Sequence, residues 1–330
     1  MSASRMLSVY SDDTEAWRLI EGESLMTLAK LPENSVDCVV ADPPYGIDLG
    51  GEAWDRFGGG GELTAPEAFE RWTARWAAEC RRVLKPGGHA AIFGSPRTCH
   101  RMIAGAEDSG LQIRDQFLWI FATGMPKSPR LPGGQGTLLK PAYEPILLAR
   151  KPLDGTTIDN LGKFGTGALN IDATRIGERG YWPAHLALSH AQDCRDGSCA
   201  VDCPVRLLDR EQESLSRLFF CAKATRAERE AGCEQLPARQ VQLYTGNGQP
   251  GRVRHNTHLT VKPLQLMRWL VKLVTPPGGT VLDPFTGSGS TGVAAVLEGR
   301  RFLGIEREPE YVDIACARLT HHAHRAKESA

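Results

Sequence analysis

The chain has 330 residues, of which 41% are hydrophobic and 24% charged, the make-up of an ordinary globular protein and not of a disordered or fibrous one. No apolar run approaches the roughly 18 residues of a membrane span, and Met1 to Tyr10 lacks the apolar core of a signal peptide, so a cytoplasmic protein without a membrane partner is expected. The 39 basic residues balance 39 acidic ones, so a nucleic-acid partner would require segregated charge, which the net-basic, loop-rich stretches Gly124–Lys151 and Lys223–Arg254 offer.

Val36 to Ala41 is a short apolar run that reads as a buried strand. It stops at Asp42-Pro43-Pro44, where prolines cannot continue a ladder. Thr64 and Glu67 form a capping box, with Pro66 in the first turn of a helix whose apolar positions are Phe69, Trp72, Trp76, Cys80, Val83 and Leu84. Trp72 and Trp76 read as core. Pro86-Gly87-Gly88 ends that helix, and His89 to Phe93 is the next strand. Pro96 to Asp108 reads as a helix capped by Ser95. Phe117–Phe121 and Pro145–Ala149 are further strands. Gly58 to Gly61 reads either as a lid over the preceding turn or as an ordinary surface loop.

Periodicity fades from residue 151 to about 250, a stretch rich in Gly, Arg, Asp and Cys. It returns with a helix from Pro263 carrying Leu264, Met267, Leu270, Val271 and Val274. Thr280–Leu282, Ser290–Leu297, Phe302–Ile305 and Pro309–Thr320 then alternate strand and helix. Alternation of this kind implies a parallel α/β sheet. The division expected is a first half over 1–150, an inserted loop-rich module over 151–250, and a second half over 251–330.

Two strand-end turns carry chemistry. Asp283-Pro284-Phe285-Thr286-Gly287-Ser288-Gly289-Ser290-Thr291 runs strand, glycine turn, helix, which lets a ligand approach the backbone and the helix N-terminus. It lacks the Gly-Lys-Ser/Thr ending of a nucleoside-triphosphate loop. Glu306 ends the next strand, where Rossmann-type folds place the carboxylate that binds ribose hydroxyls. Asp42-Pro43-Pro44-Tyr45 suits a planar amine. A carboxylate and a carbonyl can accept its two N–H groups and localise its lone pair, and an aromatic face can hold a base flipped out of a duplex. Pro43 presents a carbonyl without a competing donor.

Together these segments resemble the β-class S-adenosylmethionine-dependent DNA amino-methyltransferases. Thr260-Val261-Lys262-Pro263, Arg82-Val83-Leu84-Lys85-Pro86-Gly87-Gly88 and Tyr143-Glu144-Pro145 resemble further segments of that family. The resemblance covers roughly residues 17–150 and 255–320. It implies a Rossmann-like, seven-stranded methyltransferase sheet with permuted motif order: catalytic half first, target-recognition module inserted, cofactor half last. It implies that Asp42, Pro43, Pro44 and Tyr45 are catalytic. It also implies that Asp283, Pro284, Phe285, Gly287, Gly289, Glu306, Thr260 and Lys262 meet S-adenosyl-L-methionine. The substrate it implies is duplex DNA, at adenine N6 by preference over cytosine N4, in the setting of restriction-modification; related tetrapeptides also serve RNA or protein amides. Members often pair, so a homodimer is compatible. One departure is His258-Leu259-Thr260 in place of His-Pro-Thr, which leaves that loop without a stiffening proline.

The cysteine count of nine, without an export signal, points to reduced thiols. His190, Cys194, Cys199 and Cys203 fall within one short segment. Four soft ligands there could close a tetrahedral zinc site and stabilise a module with little core of its own. Free thiols, or a mixed site drawing on His185, Cys221 or Cys233, are the alternatives.

Overall fold

The computed structural model describes residues 8–13, 15–49, 52–58, 65–121, 131–191, 194, 198–201, 203–211, 216, 219–222, 226–241 and 252–328. Thr64, Gly59 to Gly61, Lys127, Arg130 and Lys223 lie outside these residues.

The strands in chain order are β1 (Ser8–Ser11), β2 (Trp17–Glu21), β3 (Val36–Ala41), β4 (Leu84–Phe93), β5 (Gln112–Ile120), β6 (Tyr143–Arg150), β7 (Leu186–Ser189), β8 (Phe220–Ala222), β9 (Arg239–Val241), β10 (Arg252–Arg254), β11 (Thr280–Asp283) and β12 (Arg301–Glu306). The helices are α1 (Ser24–Leu28), α2 (Ala65–Val83), α3 (Cys99–Asp108), α4 (Thr157–Phe164), α5 (Pro204–Glu211), α6 (Arg226–Glu230), α7 (Leu264–Val274), α8 (Ser290–Leu297) and α9 (Pro309–Glu328). Ten strands form one sheet in the order β1-β2-β12-β11-β3-β4-β6-β5-β7-β8, while β9 and β10 make a separate ribbon. A parallel sheet was expected, and the pairs from β2 to β4 are parallel, but β6 runs antiparallel to both β4 and β5, and β1 runs antiparallel to β2.

Seven strands were expected, and β2 to β5 in that order are seven; β1 extends one edge, and β7 and β8 extend the other. The last two come from the segment read as an insertion, because β7 pairs in parallel with β5 and β8 with β7. That segment also holds on to the sheet before β7. Asn160 of α4 donates to the Pro86 carbonyl at 2.9 Å, and Asn170 donates to the Lys272 and Thr275 carbonyls.

Both faces of the sheet are covered. Successive residues of β3 point to opposite sides, as a pleated strand requires. Cys38 and Val40 join a core with α7, α8 and α9, while Val39 and Ala41 join one with α2 and α3. This double covering explains why Val36–Ala41 is apolar at every position but Asp37, every residue of it being buried.

Several boundaries differ from expectation. Leu84 to Gly88 belongs to β4, because Leu84 pairs with Val36 and a bulge then absorbs the proline. Gly88 is required there, since a Cβ would lie 2.8 Å from the Asp37 carbonyl oxygen. Helix α3 starts at Cys99, with Thr98 as its cap, and Pro263 caps α7 instead of opening it. Helix α9 continues to Glu328 through His322, which is buried.

Candidate active site

The two motif turns leave neighbouring parallel strands. Asp42-Pro43-Pro44-Tyr45 follows β3, and Pro284-Phe285-Thr286-Gly287 follows β11, which pairs with β3. Open α/β sheets bind their ligands outside such carboxyl ends. Both turns line one cavity of about 340 Å³, a size within the roughly 300–1,000 Å³ usual for small-molecule sites.

At the amine side, four polar side chains meet. The Tyr45 hydroxyl donates to Asp42 Oδ1 at 2.7 Å and lies 3.1 Å from Glu144 Oε2. Lys262 Nζ donates to Asp42 Oδ2 at 2.6 Å and reaches Glu144 Oε2 at 3.3 Å. Lys262 is only 6% exposed, so its ammonium has given up most of its water. Burial works against that charge, but the Asp42 and Glu144 carboxylates outweigh it and hold the Lys262 pKa above its ordinary value. Burial raises the pKa of Glu144, against the pull of Lys262. Burial, then the two carboxylates, push the Tyr45 phenol well up, so it stays protonated as a donor.

The turn is held from behind. Asp55, fully inside, accepts the backbone N–H groups of Gly46, Ile47 and Leu49 at 2.7, 3.1 and 2.7 Å. Thr98 Oγ1 donates to the Tyr45 carbonyl at 2.6 Å. These contacts fix the chain just after Tyr45, and with it the direction of the ring.

At the glycine loop, Glu306 sits at the end of β12. Its Oε2 accepts the Gly287 N–H at 2.7 Å, and its Oε1 accepts the Arg307 and Glu308 N–H groups at 2.8 and 2.9 Å. Burial raises the Glu306 pKa, and these three donors oppose it. Asp283 Oδ1 accepts the Phe285 N–H at 3.0 Å, and burial pushes its carboxyl up to about 7. Gly287 has φ +51, and a Cβ there would lie 2.6 Å from His258 Nε2. Burial holds the His258 pKa down at about 3, so the ring is neutral at pH 7. Pro284, Phe285, Ile305 and Trp72 supply apolar walls. The donor set therefore suits a nucleoside that carries a charged end: a strand-end carboxylate for hydroxyls, an apolar slot for a base, and a second carboxyl for a cationic group. S-adenosyl-L-methionine has those parts.

Asp42, Pro43, Pro44, Tyr45, Asp283, Pro284, Phe285, Gly287, Glu306, Thr260 and Lys262 all line the cavity. Gly289 does not: it is left-handed at φ +79, caps α8, and faces Ala315 of α9. Lys262 was expected beside the cofactor, yet its ammonium is on Asp42. Trp72 was expected in the core, yet it is half-buried and lines the cavity, 5.5 Å from the Phe285 ring. The missing proline at Leu259 is offset by hydrogen bonds. Arg229 Nη2 donates to the His258 and Leu259 carbonyls at 2.6 and 3.1 Å, and Asn256 Oδ1 accepts the His258 N–H at 3.1 Å. Away from this cavity, the ligand atoms of His190, Cys194, Cys199 and Cys203 all lie within 4.8 Å of one another.

Glu144 and Asp55 carried no assigned role in the sequence. For Glu144 a signal existed, since it is the single acid in the basic stretch Gly124–Lys151 and directly precedes the apolar strand run from Pro145. Asp55 had none, because its partners are backbone N–H groups.

Two loops that open on one cavity from neighbouring strands, one fit for a nucleoside and the other for an amine, define a methyltransferase of the Rossmann-like class. The chain belongs to the DNA methylase family that acts on N6 and N4 amines, whose model matches residues 36–317. It is accordingly an S-adenosylmethionine-dependent DNA amino-methyltransferase. It is 25% identical, over an alignment 350 positions long, to the type II methyltransferase M.HindIII of Haemophilus influenzae, covering 91% of this chain and 94% of that one. It is likewise 25% identical over 332 residues to the DNA adenine methyltransferase YhdJ of Escherichia coli, covering 95% and 86%. Among solved structures, the fold resembles the cytosine-N4-specific PvuII DNA methyltransferase, with a TM-score of 0.58 at 17% identity over 95% of this chain and 93% of that one. It also resembles a Thermus thermophilus protein solved in complex with S-adenosyl-L-methionine, with a TM-score of 0.50 at 22% identity over 92% and 93%. No helix among the described residues is long and apolar enough to cross a membrane.

Proposed function

We propose that the enzyme methylates adenine N6 in duplex DNA, with the target base flipped into the cavity beside Asp42-Pro43-Pro44-Tyr45. The observation that carries this is the meeting of Asp42, Tyr45 and Lys262 in the cavity that also contains Glu306 and Asp283, with Glu144 in contact with Tyr45 and Lys262. Adenine is preferred to cytosine because the tetrapeptide begins with Asp and because M.HindIII and YhdJ, the latter an adenine methyltransferase by name, align over most of the chain. The full-length match to a type II methyltransferase also favours a modification role.

The amine nitrogen is a weak nucleophile because its lone pair is delocalised into the ring. Asp42 and the Pro43 carbonyl accept its two N–H groups and draw the lone pair out of conjugation. Both Asp42 oxygens are already engaged, by Tyr45 and Lys262. An entering amine therefore competes with Lys262, and Glu144 Oε2, at 3.3 Å, is the carboxylate to which the ammonium can transfer. Glu144 thus acts as a positioning residue. Tyr45 holds the base by its ring and Asp42 by its hydroxyl.

S-adenosyl-L-methionine would supply an electrophilic methyl group when bound. Glu306 would hold its ribose hydroxyls, Phe285 and Pro284 would flank its adenine, and Asp283 would meet its cationic end. What remains for the protein is to bring nitrogen and methyl into line and exclude water. The nitrogen gains a methyl and releases one proton, with Asp42 its nearest acceptor.

The test is to methylate duplex DNA with the purified enzyme and identify the modified nucleoside. N6-methyladenine supports the proposal. N4-methylcytosine, or activity on RNA but not on duplex DNA, overturns it.

A further inference from the structure

Among the described residues, the segment after β7 has very little buried core of its own. Its buried apolar cluster consists of Leu188, Cys194, Cys203 and Val205, and two of these four are cysteines. A core that small does not fix a loop and the short helix that follows it. Yet here the chain folds back so that four soft donors converge. His190 follows β7 directly, and Cys203 directly precedes α5. His190 Nδ1 lies 3.4 Å from Cys199 Sγ and 3.6 Å from Cys203 Sγ, and all four donor atoms fall within 4.8 Å of one another. Sulfur atoms bound to one tetrahedral zinc ion at roughly 2.3 Å stand about 3.8 Å apart, so these separations need little adjustment. The Ala200 N–H points at Cys194 Sγ from 3.3 Å, a donor that stabilises a thiolate. His185 and Cys233, considered as alternative ligands from sequence, are not in this group.

We propose that His190 Nδ1 and the Cys194, Cys199 and Cys203 thiolates bind one structural zinc ion that fastens the end of β7 to α5. Binding exchanges three thiol protons for the metal. Three thiolates and an imidazole select zinc over magnesium or calcium. Four protein ligands leave no open position for substrate, so the ion holds structure and takes no part in methyl transfer. Its place in the fold gives it a reach beyond the loop. Ser189, next to His190, accepts a hydrogen bond from Trp119 Nε1 at 2.8 Å. Trp119 pairs across β5 and β6 with Glu144, the residue that touches Tyr45 and Lys262. The zinc therefore secures the edge of the sheet behind the amine side of the cavity, whereas the glycine loop lies on β11 and β12. This proposal does not depend on which base is methylated.

The decisive measurement is elemental analysis of the full chain purified without chelator from zinc-supplemented cells, followed by cobalt substitution of the metal-free protein. About one zinc per chain is expected, with thiolate-to-cobalt charge-transfer bands and tetrahedral d–d bands on cobalt addition. In Cys199→Ser the zinc content should fall by about half or more, with cofactor binding retained. If that variant does not fold, the cobalt spectrum of the wild-type chain decides alone. Zinc far below one per chain together with no charge-transfer band overturns the proposal.

Discussion

Lys262 Nζ lies 2.6 Å from Asp42 Oδ2, although 220 residues separate them in the chain. One comes from the turn after β3 and the other from just before α7. With the contacts of Lys262 to Tyr45 and Glu144, this contact joins distant segments of the chain at the point where a target amine would be held.

Asp42 is the acceptor the reaction cannot replace. Asp42→Ala is expected to lower methyl transfer by about 10²-fold or more, the scale seen when one aligned hydrogen-bonding group is lost from an active site. Cofactor affinity should change little, because Glu306 and the glycine loop are untouched. Single-turnover transfer assays with equilibrium binding of S-adenosyl-L-methionine separate the two effects, and near-normal turnover would refute the role.

Glu144→Gln should lower turnover by about 10- to 100-fold, matching the loss of a buried charged hydrogen bond. Without that carboxylate, Lys262 stays on Asp42 and obstructs the amine. The Michaelis constant for the cofactor should hold steady. Lys262→Met leaves two partly buried carboxylates without their buried cation and should cost up to about 3–5 kcal/mol of stability, read from urea midpoints. A Glu144→Gln enzyme with unchanged kcat contradicts the positioning role.

Stability should carry a signature of Asp283. Burial raises its pKa from the ordinary 3.8 to about 7. Between about pH 4 and pH 7 the unfolded chain has lost this proton while the folded chain keeps it. The unfolded state then binds fewer protons, so this group's contribution makes stability fall as pH rises through that window. His258, with its pKa lowered to about 3, acts oppositely and favours the folded state as pH rises from about 3 to 6.5. A comparison at each pH therefore isolates Asp283. Wild-type stability minus that of Asp283→Asn should decrease from pH 4 to pH 7 in apo protein, and a flat difference contradicts the assignment.

Asp55→Ala removes the acceptor for the Gly46, Ile47 and Leu49 N–H groups. Stability should drop by about 1–3 kcal/mol for each buried donor left without water or a partner. Turnover should fall because the chain after Tyr45 is released, while cofactor binding persists. Thermal unfolding and transfer assays on one preparation check both.

What the sequence determined by itself is whatever depends on local order. The apolar run Val36–Ala41, the proline turn after it, and the strand-glycine-helix pattern from Val281 to Thr291 are short-range features. They reveal an α/β sheet and both ligand turns because backbone geometry and burial act over a few residues. The tertiary structure alone decided how those turns face each other. Lys262 meets Asp42 because β11 inserts beside β3, a pairing between distant segments. Glu144 joins them because β6 lies against β4, and β7 and β8 join the sheet because β5 leaves an open edge. Gly289 turns away from the cavity because its left-handed conformation points it at α9. Such contacts depend on which strands become neighbours, which is set by packing across the whole chain and leaves only faint marks on the residues nearby.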